Sequence, residues 1–228
     1  MCIQTYKDVF LDTSGHAKND DGTTFKRPAR NIVKSSVYRV GINDFEYSIQ
    51  TGSGQHKKIW IPYKIWQDML YRCHGRTRDV KIPTYIGVTC CKEWLLFSSF
   101  LDWLFSQPYY CKSYHLEKDL LVKGNRIYCP ERVTLVPSEI NMFLTNRRKS
   151  RNSLIGTYYR RQTERWLSSI HDGEKSKHLG SFATEIEAFD AYKKAKEDRS
   201  KFLAAKYKLC IDRKAYDALM EYSVSVDD

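Results

Sequence analysis

The chain has 228 residues, and its 38 Lys and Arg outnumber its 27 Asp and Glu to give a formal net charge of +11. A hydrophobic content of 42% is enough to build a packed core, which argues against extended disorder. The positive charge favours a polyanionic partner, with nucleic acid ahead of an anionic membrane.

Residues 1–35 show no regular hydrophobic period and contain a polar, turn-forming run at positions 14–22. We therefore expect this segment to be poorly ordered or peripheral. Its first ten residues lack the basic and then apolar order of a secretion signal. We accordingly expect a cytoplasmic protein.

Two amphipathic helices are predicted in the middle of the chain. Pro62 begins the first, in which apolar residues recur at three- and four-residue spacing, and the second runs from about residue 92 to 105. The second contains the most apolar stretch of the chain, residues 94–105. That stretch includes Asp102 and falls short of the roughly 20 apolar residues that cross a bilayer. We therefore interpret both helices as core elements and expect no membrane partner.

The seven cysteines contain no pair at CxxC spacing. Structural zinc sites typically use such pairs, so we expect no zinc. An odd number of cysteines without a secretion signal is typical of reduced thiols that fill the core.

Residues 114–148 predict short strands, in contrast to the helical segment before them. They predict a strand that begins near His115, a turn at residues 123–125, a second strand over 132–136 and a short helix that starts after Pro137. The predicted order is therefore strand, loop, strand, helix.

Residues 146–153 are polar and basic, and we interpret them as a linker. Three short strands follow, over 155–159, 166–170 and 177–179. Thr184 and Glu187 then form a predicted capping box at the start of a long helix.

Positive charge is concentrated in this region, because residues 146–181 contain nine basic and three acidic side chains. A basic sheet can contact phosphates, and arginine can also bind guanine edges through two hydrogen bonds. The alternative is a solvated basic surface without a ligand. The candidate DNA-contacting residues are Arg147, Arg148, Arg160, Arg161, Arg165, Trp166, Lys175, Lys177 and His178.

The sequences LIGTY (154–158), RW (165–166), KHLGSFATE (177–185) and AFDAY (188–192) occur in this order. Together they resemble the ethylene-response-factor type of DNA-binding domain, the APETALA family, over about 50 residues. The resemblance implies a three-stranded antiparallel sheet that lies in the major groove, with Arg and Trp side chains on bases and backbone. Ser168 departs from the pattern, where alanine is frequent.

A second resemblance covers the middle of the chain. It rests on WQDMLYRC (66–73), PTYIGVTCCKEWLLFSSF (83–100), HLEKDLLVKGN (115–125), VPSEIN (136–141) and NRRK (146–149). This series is similar to the HNH endonucleases of phages and mobile introns, in which the two modules are often fused in this order. In that family a strand, a loop, a strand and a helix hold one divalent ion beside a water-activating histidine.

Carried over residue by residue, the resemblance implies that Glu117 is the metal-binding acid and that Asn141 projects from the final helix as a second ligand. Asn125 lies in the loop. Asp119 is a further possible ligand if the register differs.

Lys118 occupies the place of the family's general-base histidine. A lysine near its ordinary pKa of about 10.4 is protonated at pH 7 and cannot accept a proton. The base is therefore lost, replaced by His115 or supplied by bulk water.

These observations predict an α+β protein. Residues 1–35 are peripheral, residues 36–148 form an HNH-like ββα-metal core with flanking helices, and residues 149–228 form the sheet-and-helix DNA-binding domain. The expected function is metal-dependent cutting or nicking of double-stranded DNA, with Mg²⁺ or another divalent cation and no small-molecule ligand. The alternatives are a catalytically inactive DNA-binding descendant and, third, an RNA-binding or partner-binding adaptor.

Overall fold

The computed structural model describes residues 4–26, 36–110, 113–145, 153–173 and 175–227. The chain divides into two compact units, one comprising Met1–Leu135 with Leu209–Asp212 and the other Val136–Lys208 with Arg213–Asp228. Helices and small sheets occur in both, which confirms the predicted α+β class. Among the described residues, no helix has the length and apolar character needed to cross a membrane.

The helices of the first unit are α1 (Tyr6–Phe10), α2 (Ile61–His74), α3 (Arg78–Lys81) and α4 (Phe97–Ser106), with 3₁₀ turns at Gly54–His56, Pro83–Tyr85 and Glu93–Leu95. Its strands are β1 (Ser36–Val37), β2 (Gly41–Ile42), β3 (Gln50–Thr51), β4 (Lys58–Ile59), β5 (Thr89–Cys90), β6 (Tyr114–Glu117), β7 (Ile127–Tyr128) and the start of β8 (Thr134–Pro137). The strands pair as β1–β2, β3–β4, β5–β7 and β6–β8.

Helix α2 forms as the sequence predicts, with Pro62 in its first turn and Trp66, Met69 and Leu70 fully buried. The second predicted helix is shorter than expected, because Leu96 is extended and separates the 3₁₀ turn from α4. The cause is a cap from a distant residue. The Asp44 carboxylate accepts hydrogen bonds from the Ser98 N–H (2.9 Å) and Oγ–H (2.6 Å), which fixes the start of α4.

The N-terminal segment differs from the prediction. Residues 1–3 and 27–35 lie outside the described residues, but Tyr6, Phe10 and Phe25 are fully buried in the core of the first unit. Thr5 and Asp8 form a capping box that begins α1. Tyr6, Val9 and Phe10 have helical spacing, but α1 has only five residues, too few for the period to stand out in the sequence, and Phe25 lies outside the helices and strands.

The second unit contains α5 (Ser138–Thr145), β9 (Thr157–Arg160), β10 (Arg165–His171), β11 (Ser176–Phe182), α6 (Glu185–Tyr207) and α7 (Arg213–Met220). Its three strands form an antiparallel sheet in the order β11–β10–β9, as predicted. Helix α6 packs against this sheet. The unit begins at Val136 rather than at the expected residue 149, because Phe143 of α5 packs on Tyr222 with ring centroids 5.2 Å apart.

The predicted capping box at the start of α6 is confirmed. The Thr184 hydroxyl accepts the Glu187 N–H (3.3 Å), and the Glu187 carboxylate accepts the Thr184 N–H (3.2 Å). Behind the cap, Phe189 and Tyr192 of α6 join Ile155 and Ile170 in the core. The helix therefore covers one face of the sheet.

Candidate DNA interface and hydrolytic site

The pairing of β9 and β10 determines which side chains share the sheet face opposite α6, which we call the open face. Arg160 pairs with Arg165, and Tyr158 pairs with Leu167. Because side chains alternate along a strand, Ser169 lies on the same face. Ile170, by contrast, lies on the other face and is buried against α6. Arg160, Arg165 and Tyr158, which is 42% exposed, therefore belong to the open face.

Strand β11 adds two residues to this face. His178 pairs with Ser169, and Ser176 pairs with His171, beyond an irregularity in the register at Ser168 and Ser169. We call the set Tyr158, Arg160, Arg165, His171 and His178 the open-face cluster. Sequence reasoning missed Tyr158 and His171, which the alternation from Arg160 and Arg165 along the strands would have found.

Trp166 and Lys177 lie on the other face. Trp166 pairs with Tyr159 on one side and Phe182 on the other, and its ring lies 5.3 Å from the Tyr159 ring. Lys177 pairs with Ile170. The structure therefore separates Trp166 from Arg165, although the sequence placed both among the DNA-contacting residues.

The remaining candidates lie outside the strands. Arg161 belongs to the turn between β9 and β10, and Lys175 belongs to the turn between β10 and β11. Arg147 and Arg148 fall in the segment 146–152, outside the described residues.

Among the described residues, no acid neutralises the basic side chains of the sheet and its turns. Within the described part of the chain, none of Arg160, Arg161, Arg165, Lys175 and Lys177 forms an ion pair. Arg165 donates a hydrogen bond to the Ser181 carbonyl (3.1 Å), which orients its guanidinium. Elsewhere in this unit, Arg199 and Lys206 both pair with Glu139. Uncompensated positive charge is what phosphate contact requires.

Strand β6 of the first unit brings two candidate residues together. His115 and Glu117 are two positions apart, so they lie on the same face of the strand. Glu117 is only 7% exposed, makes no ion pair with any described residue, and accepts the Asp119 N–H at Oε1 (2.7 Å). Burial raises the pKa of the Glu117 carboxyl above its ordinary value.

Lys118 is engaged by its own loop. Its ammonium donates to both carboxylate oxygens of Asp119 (2.7 and 2.8 Å) and to the Asn125 carbonyl (2.9 Å), and its side chain is 11% exposed. All three donors of the ammonium are thereby used. The ion pair between Lys118 and Asp119 thus occupies the two groups that the sequence suggested as base and metal ligand.

Asn125 is a loop-holding residue. Its side chain is 3% exposed, donates to the carbonyls of Lys118 (3.0 Å) and Ile127 (2.8 Å), and accepts the Ile127 N–H (3.1 Å). With these bonds made, the amide positions the loop and has no group directed at a substrate.

The imidazole of His115 is influenced by a residue that sequence reasoning did not single out. Burial and the nearby positive charge of Arg72 lower the pKa of His115, so its ring is neutral at pH 7. Arg72 lies in α2, and its only signal in the sequence is its place in WQDMLYRC.

Asn141 lies on α5 in the second unit, and Glu117 lies in the first. Their shared metal site therefore stays a prediction. Among the described residues, no group of three or more His, Cys, Asp and Glu side chains is arranged to hold a metal ion.

Compared with known proteins, the chain matches no family model, no curated protein and no solved structure.

Proposed function

We propose that this protein is a DNA endonuclease. Its second unit binds duplex DNA through the open-face cluster, and its first unit hydrolyses a phosphodiester bond at Glu117 and His115. The proposal rests on Arg160 and Arg165, which lie side by side on the open face and form no ion pair with any described residue. The sequence resemblance to HNH endonucleases supplies the reaction class.

DNA binding follows from electrostatics. Lys and Arg side chains that contact phosphates release the counterions condensed on the duplex, so the affinity falls steeply as salt rises. Arg160 and Arg165 face outward from adjacent strands, which lets both reach one groove or one backbone. The exposed phenol of Tyr158 adds a hydrogen-bonding group to the same face.

In the hydrolytic step, His115 is the group that can accept a proton from the attacking water, because its imidazole is neutral at pH 7. Glu117 lies on the same strand face and can orient the water or bind a cation. Asn125 and Lys118 hold the loop that follows the strand and keep Glu117 in place. In this proposal the general base is His115, and Lys118 has a structural role.

The residues present fit a divalent ion in one respect. Glu117 is a buried carboxylate without an ion pair among the described residues, and such a group is stabilised by a bound cation. Mg²⁺ is commonly held by one or two carboxylates together with substrate phosphates, and Glu117 would be the carboxylate that holds it. When bound, the ion supplies charge stabilisation at the phosphoryl group and a more acidic water.

Incubation of supercoiled DNA with the protein and Mg²⁺ or Mn²⁺ tests this function, with EDTA as the control. Conversion to open-circular or linear product in the metal-dependent arm supports an endonuclease. Intact supercoiled DNA in every arm refutes the hydrolytic part of the proposal.

A binding-only protein is the second candidate, and one observation favours it. The place of the family's general base is taken by Lys118, whose ammonium is fully occupied by Asp119 and Asn125. If His115 does not replace it, the chain binds DNA without cutting it. Duplex binding without cleavage in the same assay identifies this case.

A further inference from the structure

Arg72 is a half-buried cation near the end of α2. Its guanidinium carbon lies 5.6 Å from the centre of the Tyr85 ring, and its Nη1 donates a long hydrogen bond to the Tyr128 hydroxyl (3.4 Å). Tyr128 is fully buried. Two aromatic residues thus position the guanidinium, one through its ring face and the other through its hydroxyl.

The guanidinium retains donors that none of the described groups of the protein accepts. It carries five N–H groups, and the Tyr128 hydroxyl is its one hydrogen-bond acceptor among the described residues. It forms no ion pair within the same residues. Asp68 lies one turn earlier in α2, but its carboxylate is bound by Lys64. Arg72 therefore differs from Lys118, whose three donors are all in use.

The location of Arg72 connects it to the candidate hydrolytic site. Helix α2, which carries Arg72, packs against β6, the strand that carries His115 and Glu117. Lys118 also lies against the Tyr85 ring, with its Nζ 5.7 Å from the ring centre. A cation with spare donors thus lies beside the strand that carries Glu117.

We propose that Arg72 is a phosphate-binding residue, whose guanidinium binds non-bridging oxygens of a DNA phosphodiester beside His115 and Glu117. The guanidinium lies over the Tyr85 ring, a contact that leaves its N–H donors available for hydrogen bonds. Paired edge donors match the spacing of two phosphate oxygens. The proposal rests on the proposed function for the identity of its ligand, but phosphate binding itself needs no cleavage.

The test is a titration of the full-length protein with inorganic phosphate, followed by NMR of the arginine side-chain Nε–Hε signals. The Arg72 signal is the one that is absent from the spectrum of Arg72→Lys. We expect it to shift with a saturable dependence on phosphate. Tyr128→Phe removes the one hydrogen bond that positions the guanidinium and is expected to weaken this binding about threefold to tenfold.

Lys57→Gln is the control, because it removes an exposed positive charge from the same unit without changing the partners of Arg72 or Asp68. It should leave the Arg72 titration unchanged. An Arg72 signal that stays fixed while other arginine signals shift overturns the proposal, and so does equal phosphate binding by Tyr128→Phe and wild type. A saturable Arg72 shift in a protein that never cuts DNA upholds this site and rejects the endonuclease.

Discussion

At the level of single residues, Arg165 allows a test between two alternatives, a DNA-binding face and a basic surface that contacts only solvent. It lies on the open face, pairs with Arg160 across the strands and is oriented by the Ser181 carbonyl. An arginine held in this way can bind a phosphate or a guanine edge with little further loss of side-chain freedom.

Arg165→Gln should weaken duplex binding by about 1–3 kcal/mol if the side chain reads a base. Fluorescence anisotropy with a labelled duplex at two salt concentrations measures this change. Lys201→Gln is the matched control, because Lys201 is an exposed cation on α6, away from the open face. Equal affinities of Arg165→Gln, Lys201→Gln and the wild type would rule out the open face as the contact surface.

Two adjacent cysteines should differ in reactivity. The Cys90 thiol neighbours the Cys73 thiol and lies 3.8 Å from His74 Nε2, and these contacts lower the pKa of Cys90. Burial raises the pKa of Cys91 to about 11. A thiolate reacts with iodoacetamide and a thiol does not, so at pH 7.5 Cys90 should be alkylated well before Cys91.

Peptide mapping by mass spectrometry after timed labelling reports both rates. Substitution of His74 by Gln should slow the labelling of Cys90 and leave that of Cys91 unchanged. Faster labelling of Cys91 in the wild type would show that the described environment of Cys90 is wrong.

At the scale of elements, the loop from Lys118 to Arg126 is held by one ion pair and one buried amide. Lys118 binds Asp119 and the Asn125 carbonyl, and Asn125 returns a hydrogen bond to the Lys118 carbonyl. These reciprocal bonds fix the loop directly after Glu117. The residues that the resemblance assigned to chemistry are, in this chain, largely occupied in shaping the loop.

Lys118→Met should therefore destabilise the protein by about 2–3 kcal/mol, because it leaves Asp119 without its cation and the Asn125 carbonyl without a donor. Urea denaturation followed by tryptophan fluorescence gives the free energy of unfolding. Arg132→Met is the control, since its side chain is exposed in the same connection between β6 and β8. A cost no larger for Lys118→Met than for Arg132→Met would show that the ion pair does not hold the loop.

Much of the element order was predictable from periodicity and local signals. The apolar spacing of α2, the three strands of the second unit and the capping box at Thr184 all follow from short-range chemistry. The break at Leu96 was not predictable, because its cause is Asp44, more than fifty positions away in sequence. The same holds for Arg72, whose relation to His115 depends on the packing of α2 against β6.

The candidate DNA interface could likewise be predicted only in part from the sequence. The sequence concentrates basic residues in the region of the sheet, and alternation along β10 puts Arg165 and Trp166 on opposite faces. Which of these faces α6 covers depends on tertiary packing. Composition alone therefore could not predict which side chains lie on the open face.

At the scale of the whole molecule, the second unit requires more chain than the resemblance to a DNA-binding domain covers. Phe143 packs on Tyr222, and its carbonyl accepts a hydrogen bond from Lys196, which is only 3% exposed. Glu139 pairs with Arg199 and Lys206. Helix α5 therefore contributes both apolar and charged contacts to this unit.

A fragment of residues 136–228 should be more stable than one of residues 146–228 by at least about 3 kcal/mol. The shorter fragment loses the acceptor of a buried lysine and the partner of two cations. Urea denaturation of both fragments, followed by circular dichroism, measures the difference. Equal free energies of unfolding would mean that α5 is dispensable for this unit.

Whether the protein is an endonuclease that cuts DNA at Glu117 is tested most directly by comparing Glu117→Gln with the wild type in two assays. One is the conversion of supercoiled plasmid with Mg²⁺, and the other is anisotropy with a labelled duplex. We expect the wild type to yield open-circular or linear product. Glu117→Gln should bind duplex with nearly wild-type affinity but leave the plasmid intact. Cleavage by Glu117→Gln at the wild-type rate would contradict the hydrolytic role of Glu117. A plasmid left intact by the wild type in both Mg²⁺ and Mn²⁺ would contradict the endonuclease proposal.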